Sequence, residues 1–160
     1  NEGSGCSTIQ DPPAHHTDLT LSVGAHDHRN GTIASFSSRG PSAFDGGIGP
    51  DVTAPGVSIR SAVPGNGYQG VMWSGTSMAG PHAVGLVALM WSANKSLIGN
   101  IEQTIQLVRK SATPKTTTEA CGNVAGTEIP NNTFGYGQIN AEKAVKSAIA
   151  LKDITKSKSK

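Results

Sequence analysis

Cysteine is nearly absent from this chain, which carries two in 160 residues, Cys6 and Cys121. A single bridge at most can form, so a disulfide-built scaffold is excluded. Aromatic residues make up 4% and are scattered, leaving no platform on which nucleic-acid bases could stack. Thirteen basic and eleven acidic residues leave a net charge of +2, too balanced to point to a nucleic-acid partner. No apolar run approaches the roughly 20 residues that a membrane-spanning helix needs. What remains is a chain of ordinary size for one domain, long enough to bury a core.

Glycine and proline are plentiful instead, 20 and 9 residues, many of them before Ser77. That half therefore reads as tight turns, alternating with strand-like runs over 19–25 and 32–36. Three helices are predicted after it: 78 to about 93, 100 to about 111, and 140 to about 151. The first is apolar on nearly all faces, the mark of a helix buried within a larger protein. The second has apolar residues at one-face spacing. Asn140 suits the N-cap of the third, whose face Ala141, Ala144, Val145, Ala148 and Ile149 would cover the core. Residues 1–151 read as one unit, and 152–160 as a basic, low-complexity tail exposed to solvent. Strands first and helices later suggest, by themselves, an α+β protein.

The segment from Trp73 to His82 reads Trp-Ser-Gly-Thr-Ser-Met-Ala-Gly-Pro-His. A small-residue turn presents Ser77, and an apolar run follows at once. Small residues let a substrate backbone approach closely. The unpaired N–H groups of the first helical turn point to where negative charge would develop. A Gly-Thr-Ser before a helix also serves as an ordinary cap; the longer string decides between these readings. Residues 75–82, Gly-Thr-Ser-Met-Ala-Gly-Pro-His, closely resemble the nucleophile signature of the subtilisin-like serine proteases, the subtilases. Asn1-Glu2-Gly3 resembles the family's oxyanion-hole loop, residues 33–41 its strand and turn after the substrate-binding loops, and 50–57 the approach to the nucleophile. Residues 134–140, Phe-Gly-Tyr-Gly-Gln-Ile-Asn, precede a final helix in the family's manner.

The resemblance covers 1 to about 150 and replaces the α+β reading with the α/β subtilase fold, a parallel sheet with helices on both faces. It implies a serine endopeptidase acting on protein or peptide substrates through an acyl-enzyme on Ser77. Asn1 would stand in the oxyanion hole, and Glu2 and Gly3 would contact substrate, with Glu2 at the rim of the pocket for the residue before the cleaved bond; the alternative for Glu2 is an ordinary solvated loop glutamate. The family's triad runs Asp, His, Ser along the chain. Its His-Gly-Thr-His-like string does not occur here, so the chain is expected to be the C-terminal part of a catalytic domain. The triad Asp and His would come from N-terminal sequence outside it, and the chain alone would be inactive. The alternative is a degenerate subtilase serving as an interaction module; retention of both Ser77 and Asn1 speaks against it. A serine-esterase elbow, Gly-x-Ser-x-Gly, does not match residues 74–78.

His82 lies five positions beyond Ser77, about 500° of helical rotation, so the two side chains diverge by roughly 140° and His82 is expected to be structural. His15, His16, His26 and His28 flank the first strand-like run and read as solvated loop histidines rather than as a metal cluster. No cofactor is required for the chemistry. The family allows a structural calcium, and Asp51 falls near one of its weaker cation positions, but no metal ligand is assigned. Residues 5–8, Gly-Cys-Ser-Thr, followed by 11–14, Asp-Pro-Pro-Ala, and later by Cys121-Gly122, look most like the secreted bacillopeptidase-type members. A Cys6–Cys121 disulfide and an extracellular location follow as expectations.

Overall fold

Two short parallel strands form the floor on which the rest is laid. In the computed structural model, which describes residues 1–13, 17–65 and 67–158, β1 (Val23–His26) pairs with β2 (Val52–Pro55), Val23 opposite Val52 and Ala25 opposite Ala54. Ala25, Val52, Thr53 and Ala54 are fully buried. Strands covered this completely lose the in-out alternation of a half-exposed sheet. A separate antiparallel hairpin follows, β3 (Ile59–Val63) and β4 (Gly67–Trp73). It runs directly into the first helix, α1 (Thr76–Ala93).

That helix packs on β1, β2 and α3. Ala79, Ala83, Leu86 and Met90 form its buried stripe, at the three- and four-residue spacing that keeps side chains on one face. They join Val52, Leu97, Val108, Ala144 and Ala148 in the core. Fully burying a Leu, Val or Met side chain stabilises by about 1.5–3 kcal/mol. A 3-10 turn at Lys95–Leu97 leads to α2 (Ile101–Ser111), capped by Asn100, whose Oδ1 accepts from the Gln103 N–H. In α3 (Ala141–Lys158), Asn140 takes the expected cap, accepting from the Lys143 N–H at 2.9 Å. Together the parallel pair and the helix laid over it give the α/β class expected of part of a subtilase domain.

Several expectations are corrected. The run over 32–36 is not a strand: only Ile33 bridges to His26, and the chain then turns, Ser37 N–H donating to the Ala34 carbonyl. The turn is fixed from below by the buried Arg39, whose guanidinium donates to the carbonyls of Ala34 and Ser37. The first strand begins only at Val23. α3 continues through Lys158 rather than stopping near 151, so the basic tail largely belongs to the helix. No glycine or proline follows Asn140, and lysine is a good helix former, so nothing local stops propagation. On α3, Ala144 and Ala148 are buried as expected, whereas Ala141 and Ile149 are exposed.

Candidate active site

Ser77 is the second residue of α1 and its side chain is exposed. The turn before it is anchored to the exit of β2 by the Gly75 N–H, which donates to the Gly56 carbonyl at 2.8 Å. Gly56 is required by this approach. A Cβ there would lie 2.5 Å from the Ala25 Cβ and 2.9 Å from the Gly75 carbonyl oxygen. Pro81 lacks the N–H that would otherwise reach the Ser77 carbonyl four residues back.

Asn1 is held against this helix start. Its Oδ1 accepts from the Thr76 N–H at 2.8 Å and from the Thr76 hydroxyl at 3.1 Å. With the oxygen so engaged, the Nδ2 end of the amide is left as a donor. The Thr76 N–H is satisfied by Asn1, and the Met78 and Ala79 N–H groups by the Gly75 carbonyl. Among the described residues, neither the Ser77 backbone N–H nor Asn1 Nδ2 has a hydrogen-bond partner. The site thus holds two unpaired donors beside one exposed hydroxyl.

Behind Asn1 lies a brace. The Glu2 N–H donates to Ser38 Oγ, Gly3 N–H to the Phe36 carbonyl, and Thr8 N–H to the Arg39 carbonyl, each at 3.0 Å. Arg39 is 1% exposed and pairs with Glu119 at 2.7 Å. Hydrogen bonds from the Arg39 guanidinium hold the Glu119 carboxyl below its ordinary range, more than its partial burial raises it. Two residues on, Cys121 forms the expected disulfide with Cys6, their Cα atoms 5.2 Å apart. The Asn1 loop is therefore fastened twice to the segment around 119–121. Sequence reading missed Arg39, Glu119 and Thr76. Arg39 gave one signal, a cation set among small residues in Ser-Ser-Arg-Gly-Pro.

A polar cleft of about 290 Å³ opens beside Asn1, lined by Glu2, Gln10, Asp11 and Thr76 among others. Gly3 does not line it and serves instead in the brace. A second cleft, about 300 Å³ and mostly apolar, lies beside Ser77 between α1 and the base of the hairpin.

No imidazole bonds to Ser77 among the described residues. The His82 Nδ1 lies 2.9 Å from the Met78 carbonyl, one turn back on its own helix. His28 is exposed in a turn, and His15 and His16 lie outside the described residues. His26 corrects the loop reading. It closes β1, is 6% exposed, and its Nδ1 lies 3.2 Å from the Thr53 hydroxyl. Burial, with the positive charges of His28, His82 and Lys115 behind it, pushes its pKa down to about 4. Asp51 is not a turn residue open to a cation. It is buried, 2.7 Å from the Arg109 guanidinium, and accepts from both the backbone and the hydroxyl of Ser22. Its charge is already matched, so it does not fit a calcium ligand.

Residues 1–137 match the subtilase family. Bacillopeptidase F of Bacillus subtilis (strain 168) is 40% identical over 133 residues, which are 83% of this chain and 8% of that protein. Subtilisin Savinase of Lederbergia lenta is 34% identical, over 91% of this chain and 44% of its own length. Among solved structures, the Clostridium perfringens CspB protease aligns over 81% of this chain and 26% of that one. Its TM-score is 0.62 and the identity 29%. The self-cleaved protease domain of PatA aligns over 93% and 48%, with a TM-score of 0.58 and 26% identity. The chain spans between 8% and 44% of the length of these curated relatives.

Proposed function

Because the chain belongs to the subtilase family, we propose that it is the C-terminal part of a serine endopeptidase domain in which Ser77 is the nucleophile. The observation that carries this reading is the pair of unpaired donors, the Ser77 N–H and Asn1 Nδ2, set beside an exposed hydroxyl at a helix start. A histidine from sequence outside this chain removes the Ser77 proton, and an aspartate from the same sequence orients that histidine. Ser77 Oγ attacks the scissile carbonyl, and the two donors hold the oxyanion. The histidine passes its proton to the leaving amine, the C–N bond breaks, and an acyl-enzyme remains. Water, activated by the same histidine, then releases the acyl product.

The apolar flank of α1 supports an N-terminal partner segment. Leu21, Val23, Val84, Val87 and Trp91 border an open groove of about 570 Å³, and Val84 is 69% exposed. A groove of this kind suits the packing of further apolar chain against α1. Secretion is supported by the disulfide, since oxidising compartments maintain such bridges. Among the described residues no helix is long and apolar enough to cross a membrane.

The test is peptide hydrolysis by the complete domain, this chain joined to its N-terminal segment, beside the Ser77→Ala variant. Casein cleavage lost on that substitution is expected. Cleavage that survives it would remove Ser77 from the mechanism.

A further inference from the structure

Arg39 is a buried cation that the proposed reaction does not touch. Its guanidinium is divided between two sets of partners. Nε and Nη2 donate to the Glu119 carboxylate at 2.7 and 3.2 Å, and Glu119 also accepts from the Thr133 hydroxyl at 3.1 Å. Nη1 donates to the carbonyls of Ala34 and Ser37. The rigid fork of a guanidinium serves a carboxylate on one edge and carbonyls on another, which the point charge of a lysine does not. For stability alone such a pair is a poor device, because desolvating both charges offsets much of their attraction.

The turn that Arg39 holds is the one on which the Asn1 loop rests. Phe36 and Ser38 flank Ser37 and accept from the Gly3 and Glu2 N–H groups, each at 3.0 Å. Arg39 and Thr8 are bonded in both directions. The Arg39 N–H donates to Thr8 Oγ at 2.9 Å, and the Thr8 N–H to the Arg39 carbonyl at 3.0 Å. The Thr8 hydroxyl in turn donates to the Gly5 carbonyl at 2.8 Å. Glu119 is thus joined to the residues beside Asn1 by an unbroken series: carboxylate to guanidinium, guanidinium to turn, turn to residues 2 and 3.

We propose that Arg39 and Glu119 are a positioning pair for the oxyanion hole, fixing where Asn1 Nδ2 stands and so acting on the transition state without touching substrate. The inference rests on the proposed roles of Ser77 and Asn1. An oxyanion donor works only at hydrogen-bond distance from the place where charge develops. A displacement of about 1 Å, caused far from the chemistry, can cost about a hundred-fold in rate. Asn1 keeps its other anchors when Glu119 is removed, so a smaller loss is expected. That loss falls on kcat rather than KM, because the donor is used in the transition state.

The experiment is a double-mutant cycle in the complete domain, read as kcat and KM on one chromogenic peptide and normalised to folded protein by circular dichroism. Glu119→Ala is expected to lower kcat by about ten-fold with KM little changed. In an Asn1→Ala background the same substitution should change kcat by less than about two-fold, because the donor it positions is already gone. Glu119→Gln keeps one acceptor for the guanidinium and should lower kcat by only about three-fold. It carries the same cycle if the alanine variant does not fold. A merely structural pair gives equal losses in both backgrounds. That result, or an unchanged kcat in the single variants, overturns this inference alone. An unchanged kcat in Asn1→Ala would overturn the oxyanion-hole reading, and this inference with it.

Discussion

In the proposed mechanism Asn1 acts through the end of its side chain that makes no bond. Thr76 holds Oδ1 by two hydrogen bonds, which fixes the amide plane and leaves Nδ2 as the donor. In the complete domain, Asn1→Ala should lower kcat by about a hundred- to a thousand-fold with KM little changed. That magnitude is the one measured in subtilisin, a member of this family. A loss confined to KM would contradict a role in the transition state. His26 gives a second prediction, in stability. Its folded pKa of about 4 lies below the 6.5 of the free side chain, so the unfolded chain takes up the proton first. Its contribution is present in full above pH 6.5 and is lost as pH falls from 6.5 towards 4, reaching on the order of 3 kcal/mol. Urea unfolding at pH 7, 5.5 and 4 measures this, and His26→Gln should flatten the dependence over that window. An equal slope in the variant would remove His26 as the cause.

The loop that presents Asn1 is an element without regular secondary structure, and its rigidity is borrowed. Turn hydrogen bonds, the Arg39–Glu119 pair and the Cys6–Cys121 bridge supply it. The bridge spans a sequence separation of 115, which in the chain-entropy account corresponds to about 4–5 kcal/mol before any strain is counted. Cys6→Ser with Cys121→Ser should lower stability by about 2–5 kcal/mol, read as a shift in the urea midpoint. It should also lower kcat, because Asn1 loses an anchor. Unchanged kcat at full occupancy of the fold would show that the hydrogen bonds alone position Asn1.

Helices were the legible elements. Asn140 announced one start, one-face spacing announced α2, whose cap, Asn100, is the residue taken as its beginning, and the apolar run after Ser77 announced α1, which begins two residues earlier than the predicted start at 78. Strands were less legible for a physical reason. β1 and β2 are four residues each with three of the four buried in succession, so they carry no alternation, and 32–36 looked like a strand until Arg39 drew the Ala34 carbonyl into a turn. Motif strings singled out Ser77 and Asn1, and the disulfide was legible from a cysteine count of two and the family resemblance. The Thr76 contact and the Arg39 brace were not, because both depend on residues far apart in sequence.

At the scale of the molecule, α1 is asymmetric. One face is locked into the core, while Val84 and Leu89 stand 69% and 54% exposed. The same helix carries Ser77 at its start, so in the proposed domain the exposed apolar surface and the site adjoin each other. The chain alone should therefore bind a hydrophobic dye through this groove and should show no peptidase activity. The N-terminal segment, supplied in cis or in trans, should suppress the first and restore the second. Dye binding that persists in an active, complete domain would separate the groove from the missing segment.

The most direct measurement of the central claim is peptide mapping of the complete domain after reaction with a fluorophosphonate probe. The account predicts the label on Ser77, abolished by Ser77→Ala and retained in His82→Ala. A label on another serine with Ser77 unmodified would contradict it.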